Sequence, residues 1–137
     1  MNSHPKIAVI GGGSWATAIV KMLCENLDTI GWYMRSASAK EHILENKHNP
    51  NYLSSAELHP EQLELSNDIN KIIDTYDFLI FAIPSAFLTE ELSKVLVSFE
   101  GKIIFSAIKG IVPETGLIVG EHFMETYGIP VENIGVV

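Results

Sequence analysis

Apolar residues are distributed along this chain in two alternating patterns. Short, nearly uninterrupted apolar runs occupy residues 7–10, 30–34, 63–65, 78–83, 102–107 and 134–137. Between them, apolar residues recur every three or four positions. Runs bounded by turn residues predict buried strands, and the three-to-four spacing predicts amphipathic helices. Helices are expected over 15–26, 38–45, 68–75, 85–98 and 115–127. In the first, Ala18, Ile19, Met22 and Leu23 are expected to face the core. In the fourth, Phe87, Leu88, Leu92, Val95 and Leu96 are expected inward. Ser38 and either Asn67 or Asp68 are expected N-caps, and Pro84 ends the fourth strand. Residues 46–60 and 109–113 read as loops.

Strand–helix alternation implies an α/β fold with a mostly parallel sheet and helices on both faces. Ligands of such sheets bind beyond the carboxyl ends of the strands, where strand order reverses. That rule selects the loops at 11–15, 35–37, 84–87 and 107–111.

The first of these loops carries a recognisable device. Gly11, Gly13 and Ala16 follow a strand and open a helix at the spacing G-x-G-x-x-G/A. The first small residue turns the chain sharply, the second admits a pyrophosphate to the backbone, and the third lets helix and strand pack closely. The helix N-terminus, where Ser14 and Trp15 lie, presents unpaired N–H groups to phosphates. A doubly wound, Rossmann-type sheet binding a dinucleotide is the expectation, and a plain glycine turn is the alternative.

Composition narrows the setting. The chain has 137 residues, one domain by length, with 47% hydrophobic and 19% charged residues. No apolar run reaches the length of a membrane span, and no signal peptide is read before the first strand. Cys24 is the lone cysteine, which fits a reducing compartment, so a cytoplasmic location is expected. A buried thiol is the expectation for Cys24. The net charge of −8 argues against nucleic acid as a partner.

The remaining loops supply candidate chemistry. The second strand ends Trp32-Tyr33-Met34-Arg35-Ser36, without the carboxylate that normally accepts the adenosine ribose hydroxyls. Arg35 is suited to pair with a 2′-phosphate, so NADP is plausible beside NAD; a solvated Arg is the plain alternative. Pro84 and Phe87 are placed to wall the nicotinamide half of a cofactor, although position alone favours a core role for Phe87. Lys109, followed by Gly110, is placed to meet an anionic substrate, with an ordinary exposed lysine equally compatible. His4, His42, His48, His59 and His122 show no metal-ligand spacing, so no metal is assigned. Glu90 and Glu91, and Asp74 and Asp77, read as solvated carboxylates without a catalytic role.

Together these segments resemble the NAD(P)-dependent glycerol-3-phosphate dehydrogenase family. Gly11-Gly12-Gly13-Ser14-Trp15-Ala16-Thr17-Ala18 is similar to its G-x-G-x-W-G-T-A opening. Trp32-Tyr33-Met34-Arg35 resembles its aromatic strand end. His48-Asn49-Pro50-Asn51-Tyr52-Leu53 resembles its H-x-N-x-x-Y-L loop with one residue fewer, and Ala107-Ile108-Lys109-Gly110-Ile111 is similar to its K-G strand end. The resemblance implies hydride transfer between NAD(P)H and dihydroxyacetone phosphate, giving sn-glycerol 3-phosphate for phospholipid synthesis. It implies that Lys109 contacts the small phosphorylated substrate, while Pro84 and Phe87 lie near the cofactor. Ala16 departs from the usual third glycine, and Ser54-Ser55 from the usual Pro-Gly.

The resemblance also implies a following helical domain that supplies a second lysine, and residues 1–137 are expected to lack it. The corresponding expectations are weak cofactor binding, little or no turnover by these residues alone, and self-association as a homo-oligomer near the final strand. A stand-alone nucleotide-binding or sensor module is the alternative of a different class. Another Rossmann reductase, such as one acting on ketopantoate, is a third; Lys109-Gly110 and the 48–53 loop argue against it.

Overall fold

A computed structural model describes residues 6–47, 49, 57–108, 112 and 116–136. In chain order the elements are β1 (Ile7–Ile10), α1 (Ser14–Leu23), β2 (Ile30–Tyr33), α2 (Ala37–Asn46), β3 (Leu63–Ser66), α3 (Ile69–Thr75), β4 (Phe78–Phe81), α4 (Ser85–Leu92), β5 (Ile103–Ser106), α5 (Val119–Tyr127) and β6 (Ile134–Val136). The strands form one six-stranded sheet in the order β3-β2-β1-β4-β5-β6, and every pairing is parallel. Strand order therefore runs one way from β1 and the other way from β4. The switch point lies between them, as expected for a doubly wound Rossmann-type sheet.

Successive strand residues point to opposite faces, and the two faces bury different helices. Ala8, Ile10, Tyr33, Leu79 and Phe81 pack with Ile72 and Ile73 of α3, Leu88 and Leu92 of α4 and Phe123 of α5. Val9 and Trp32, with Met34, pack on the other face with Ala16, Ile19 and Val20 of α1 and Ala39 and Ile43 of α2. Burying each large apolar side chain of these layers contributes about 1.5–3 kcal/mol, offset by the conformational entropy lost on ordering it. Gly31 is a packing device within β2. A Cβ there would stand 2.5 Å from the Tyr76 ring, so a side chain at this position would push that ring away from the strand.

Several element details differ from the sequence expectations, each for a local reason. The buried stripe of α1 is Ala16, Thr17, Ile19 and Val20, whereas Met22 is 52% exposed. The i, i+3, i+4 pattern starting at Ala16 sets the face, and Met22 falls outside it. Ser36, not Ser38, caps α2, accepting the Ala39 N–H at 3.1 Å. Asp68 caps α3 through the Asn70 and Lys71 N–H groups. Helix α4 stops at Leu92 rather than near Ser98. Beyond it, Asn70 of α3 donates to the Lys94 carbonyl at 2.9 Å and accepts the Leu96 N–H at 2.6 Å. These bonds capture the chain in a non-helical path, and Leu96 is left 88% exposed. Helix α5 begins at Val119 and ends on Gly128 in the left-handed conformation, φ 66°. Cys24 is a half-buried free thiol, and burial pushes its pKa up against the lowering effect of Lys21.

Among the described residues, no helix is long and apolar enough to cross a membrane. Nor, among them, does any group of three or more His, Cys, Asp or Glu stand where it could hold a metal ion.

Candidate functional site

Beyond the carboxyl ends of β1, β2 and β4 lies a cavity of about 310 Å³. Gly11, Gly12 and Gly13 form one side. Tyr33, Met34, Arg35 and Ser36 from the end of β2 form another, with Ala39 of α2. Ile83, Pro84, Phe87 and Glu91 close it from the β4–α4 connection. Three of the four loops selected by the topological rule thus meet at one place. Of the fourth, Lys109 and Gly110 lie outside the described residues.

The glycine turn is shaped by its neighbours. Gly11 has φ 135°, a region that side chains rarely adopt, and a Cβ there would collide with the Ala82 backbone. Its N–H donates to the Tyr33 carbonyl at 2.9 Å. Its carbonyl accepts the Trp32 indole N–H at 2.6 Å. The first glycine therefore leaves β1 packed against the chain just beyond β4, and both of its polar groups are bonded to β2. Gly13 faces open space, with nothing within 4 Å of a would-be Cβ. It is the N-cap of α1, with no side-chain cap and no acidic residue in the first turn. Helix α1 thus presents its N-terminal N–H groups and partial positive charge without an internal anion to neutralise them.

Asn49 braces this turn from below. It is 1% exposed. Its side-chain amide donates to the Gly12 carbonyl at 3.1 Å and to the Thr17 hydroxyl at 3.0 Å. Thr17, fully buried, donates in turn to the Gly13 carbonyl at 2.7 Å. The sequence placed Asn49 in a family-like loop but gave it no role. His48 and residues 50–53 of that loop lie outside the described residues.

Ser14 and Trp15 are exposed in the first turn of α1 and do not line the cavity. Ala16 is fully buried behind the turn, where it packs helix against sheet. Pro84 is the N-cap of α4, and its carbonyl accepts the Phe87 N–H at 2.9 Å. Phe87 is 47% exposed, so the core role that position alone favoured is corrected: its ring walls the cavity. The Arg35 guanidinium carbon lies 5.9 Å from the centre of that ring. Its Nη1 stands 4.0 Å from Glu90 Oε1, both side chains being well exposed.

Glu91 also departs from expectation. Instead of being solvated it is 2% exposed at the cavity wall. Its carboxylate accepts the Tyr33 hydroxyl at 2.5 Å and the Lys94 ammonium at 2.7 Å. These two partners make the buried charge tolerable. Burial first, and then the hydrogen bond to Glu91, push the Tyr33 phenol well above its ordinary value.

Chemically, the arrangement offers open backbone N–H groups at a helix start, an aromatic wall and, at Arg35, an accessible cation. That is a fit for a phosphorylated nucleotide with a planar ring. The carboxylate that would meet ribose hydroxyls at the end of β2 is absent, its place being held by Arg35.

Comparison with known proteins agrees. Glycerol-3-phosphate dehydrogenase (NAD(P)+) of Pseudomonas syringae pv. syringae is 32% identical over 136 residues, covering 99% of this chain and 39% of that protein. The same-named protein of Pseudomonas aeruginosa is 31% identical over 137 residues, covering 100% and 39%. The chain thus spans about 39% of the length of these relatives. Among solved structures, glycerol-3-phosphate dehydrogenase of Plasmodium falciparum superposes with a TM-score of 0.77 at 22% identity, covering 92% of this chain and 39% of that one. An imine reductase from Pseudomonas sp. gives 0.67 at 16% identity, covering 98% and 40%. At these identities both structures show the shared fold. A family model described as the N-terminus of NAD-dependent glycerol-3-phosphate dehydrogenase matches residues 6–137, and the chain belongs to that family.

Proposed function

We propose that this chain holds the dinucleotide, NAD(H) or NADP(H), for an enzyme that interconverts dihydroxyacetone phosphate and sn-glycerol 3-phosphate. The observation that carries the reading is the uncapped start of α1 at Gly13, opening on a cavity walled by Phe87 and Arg35. Gly11, Gly13 and the first-turn backbone at Ser14, Trp15 and Ala16 would cradle the pyrophosphate. Pro84 and Phe87 would flank the rings, and Arg35 would face the adenosine ribose. When bound, the nicotinamide supplies or accepts the hydride. The chain's own task is to orient the dinucleotide and keep water from its apolar face. Lys109 is the residue we assign to the phosphorylated substrate, because a compact ammonium beyond β5 suits a phosphate or a developing alkoxide.

Family membership supports either cofactor. Arg35, in the place of the usual acid, supports use of NADP(H). A cytoplasmic location and a place in phospholipid synthesis accompany the reading. Self-association through β6 or the neighbouring helix belongs to it too, supported by the exposed Val131 just before that strand and the exposed Ile118 at the start of α5. Calorimetric titration with NADH and NADPH tests the core of the proposal. Saturable one-to-one binding of at least one is expected, and binding of neither overturns it.

A further inference from the structure

Arg35 is not a free cation at the cavity mouth. Helix α4 meets it with two side chains one turn apart, the Phe87 ring beneath the guanidinium and the Glu90 carboxylate beside it. The i, i+3 spacing of Phe87 and Glu90 puts them on neighbouring surface of the helix, so Arg35 bridges the end of β2 to α4. Glu91, next in sequence, is turned inward and committed to Tyr33 and Lys94. Glu90 is therefore the acidic side chain shown pairing with Arg35 there.

We propose that Glu90 is a specificity-determining residue: its carboxylate competes with a 2′-phosphate for Arg35 and so weakens binding of the 2′-phosphorylated dinucleotide relative to the unphosphorylated one. This rests on the cofactor reading given above. A dinucleotide without the 2′-phosphate brings no second anion to Arg35 and leaves the Arg35–Glu90 pair in place. One with it must displace that pair and accept a like charge nearby. The acid that favours NAD in related sheets usually stands at the end of β2 itself. Here the equivalent repulsion would arrive from α4. Because both side chains are exposed, the effect is moderate and screened by salt.

The test is titration of NADH and NADPH against the wild-type protein, Glu90→Gln and a control, Glu25→Gln. Glu25 is exposed beyond the C-terminal end of α1, away from the cavity lining, so its loss changes net charge equally. Glu90→Gln is expected to tighten NADPH binding about three- to ten-fold at low salt while leaving NADH within about two-fold. Glu25→Gln is expected to leave the NADPH/NADH ratio unchanged. An unchanged ratio in Glu90→Gln, or an equal shift in Glu25→Gln, overturns the assignment while leaving the cofactor reading intact. Failure of the wild-type protein to bind either dinucleotide overturns both.

Discussion

The Tyr33 hydroxyl donates to the Glu91 carboxylate at 2.5 Å, tying the end of β2 to α4 alongside the cavity. Both residues are buried, at 2% exposure each. The bond replaces water for a charged group that has little other access to it. Tyr33→Phe leaves the Glu91 oxygen without this donor, and Lys94 remains as its partner. We expect a loss of about 1.5–3 kcal/mol in urea unfolding, typical of a hydrogen bond to a charge. An unchanged midpoint would show that Lys94 alone satisfies the carboxylate.

Together with Tyr76 and Tyr127, the same pair leads us to expect a loss of stability at alkaline pH. Burial, followed by hydrogen bonds to Glu91 and Glu64, raises the phenols of Tyr33 and Tyr76 above the ordinary value of 10.0. Burial also raises Tyr127. A group whose folded pKa is raised contributes its stability in full below its unfolded pKa. That stability is lost as pH climbs toward the folded value. Stability is therefore expected to hold up to about pH 10 as far as these groups are concerned, and to fall above it. Ultraviolet titration of tyrosinate should show these phenols ionising together with loss of circular dichroism. Ionisation of all tyrosines near pH 10 in a still-folded protein would contradict the burial.

Gly11→Ala tests the turn. The substitution meets both a φ of 135° and the Ala82 backbone. A cost of about 1–3 kcal/mol from the backbone conformation alone is expected, with further loss from the collision. Calorimetric unfolding should register it, and dinucleotide affinity should fall in any fraction that folds. Wild-type stability in this variant would mean that β1 and β4 can separate at no cost.

Asn49→Ala removes two donors from the underside of the turn, leaving the Gly12 carbonyl and the Thr17 hydroxyl without them. A stability loss of about 1–3 kcal/mol is expected. A several-fold weakening of NADH binding should accompany it. Loss of stability with unchanged affinity would assign Asn49 to folding alone.

Arg35→Ala addresses cofactor choice. If Arg35 pairs with a 2′-phosphate, the variant should lose NADPH affinity about ten-fold or more while NADH affinity changes little. Equal losses for both would reduce Arg35 to a stacking partner of Phe87.

Much of this was legible in the sequence, because strand cores and the glycine turn are local signals. The apolar runs at 7–10 and 78–83 contain β1 and β4, and the spacing of Gly11, Gly13 and Ala16 marks the turn from β1 into α1. What escaped was set by distant partners or by helical phase. Asn49 reads as one more polar residue in a loop, since its partners Gly12 and Thr17 lie more than 30 positions away. Glu91 did carry a signal. It stands three residues after Leu88 and directly before Leu92, on the buried stripe of α4, whereas Glu90 falls on the outer face. Leu96 faces solvent because Asn70 diverts the chain past Leu92, whereas Phe87 lies within α4 but off the stripe that Leu88, Glu91 and Leu92 define. No local pattern announces such a capture.

The attachment of Gly11 to β2 has a consequence for the thermodynamics of ligation. With its N–H on the Tyr33 carbonyl and its own carbonyl on the Trp32 indole, the turn from β1 into α1 is stiff before any anion arrives. Association need not spend free energy on ordering it, so affinity lost elsewhere to mobile side chains is not compounded at the phosphate end. In a hydrogen-exchange experiment the Gly11 amide should be slow in the free protein and barely slower with dinucleotide bound. The protection that ligation adds should fall on the first-turn amides of α1, which have no intrahelical acceptor.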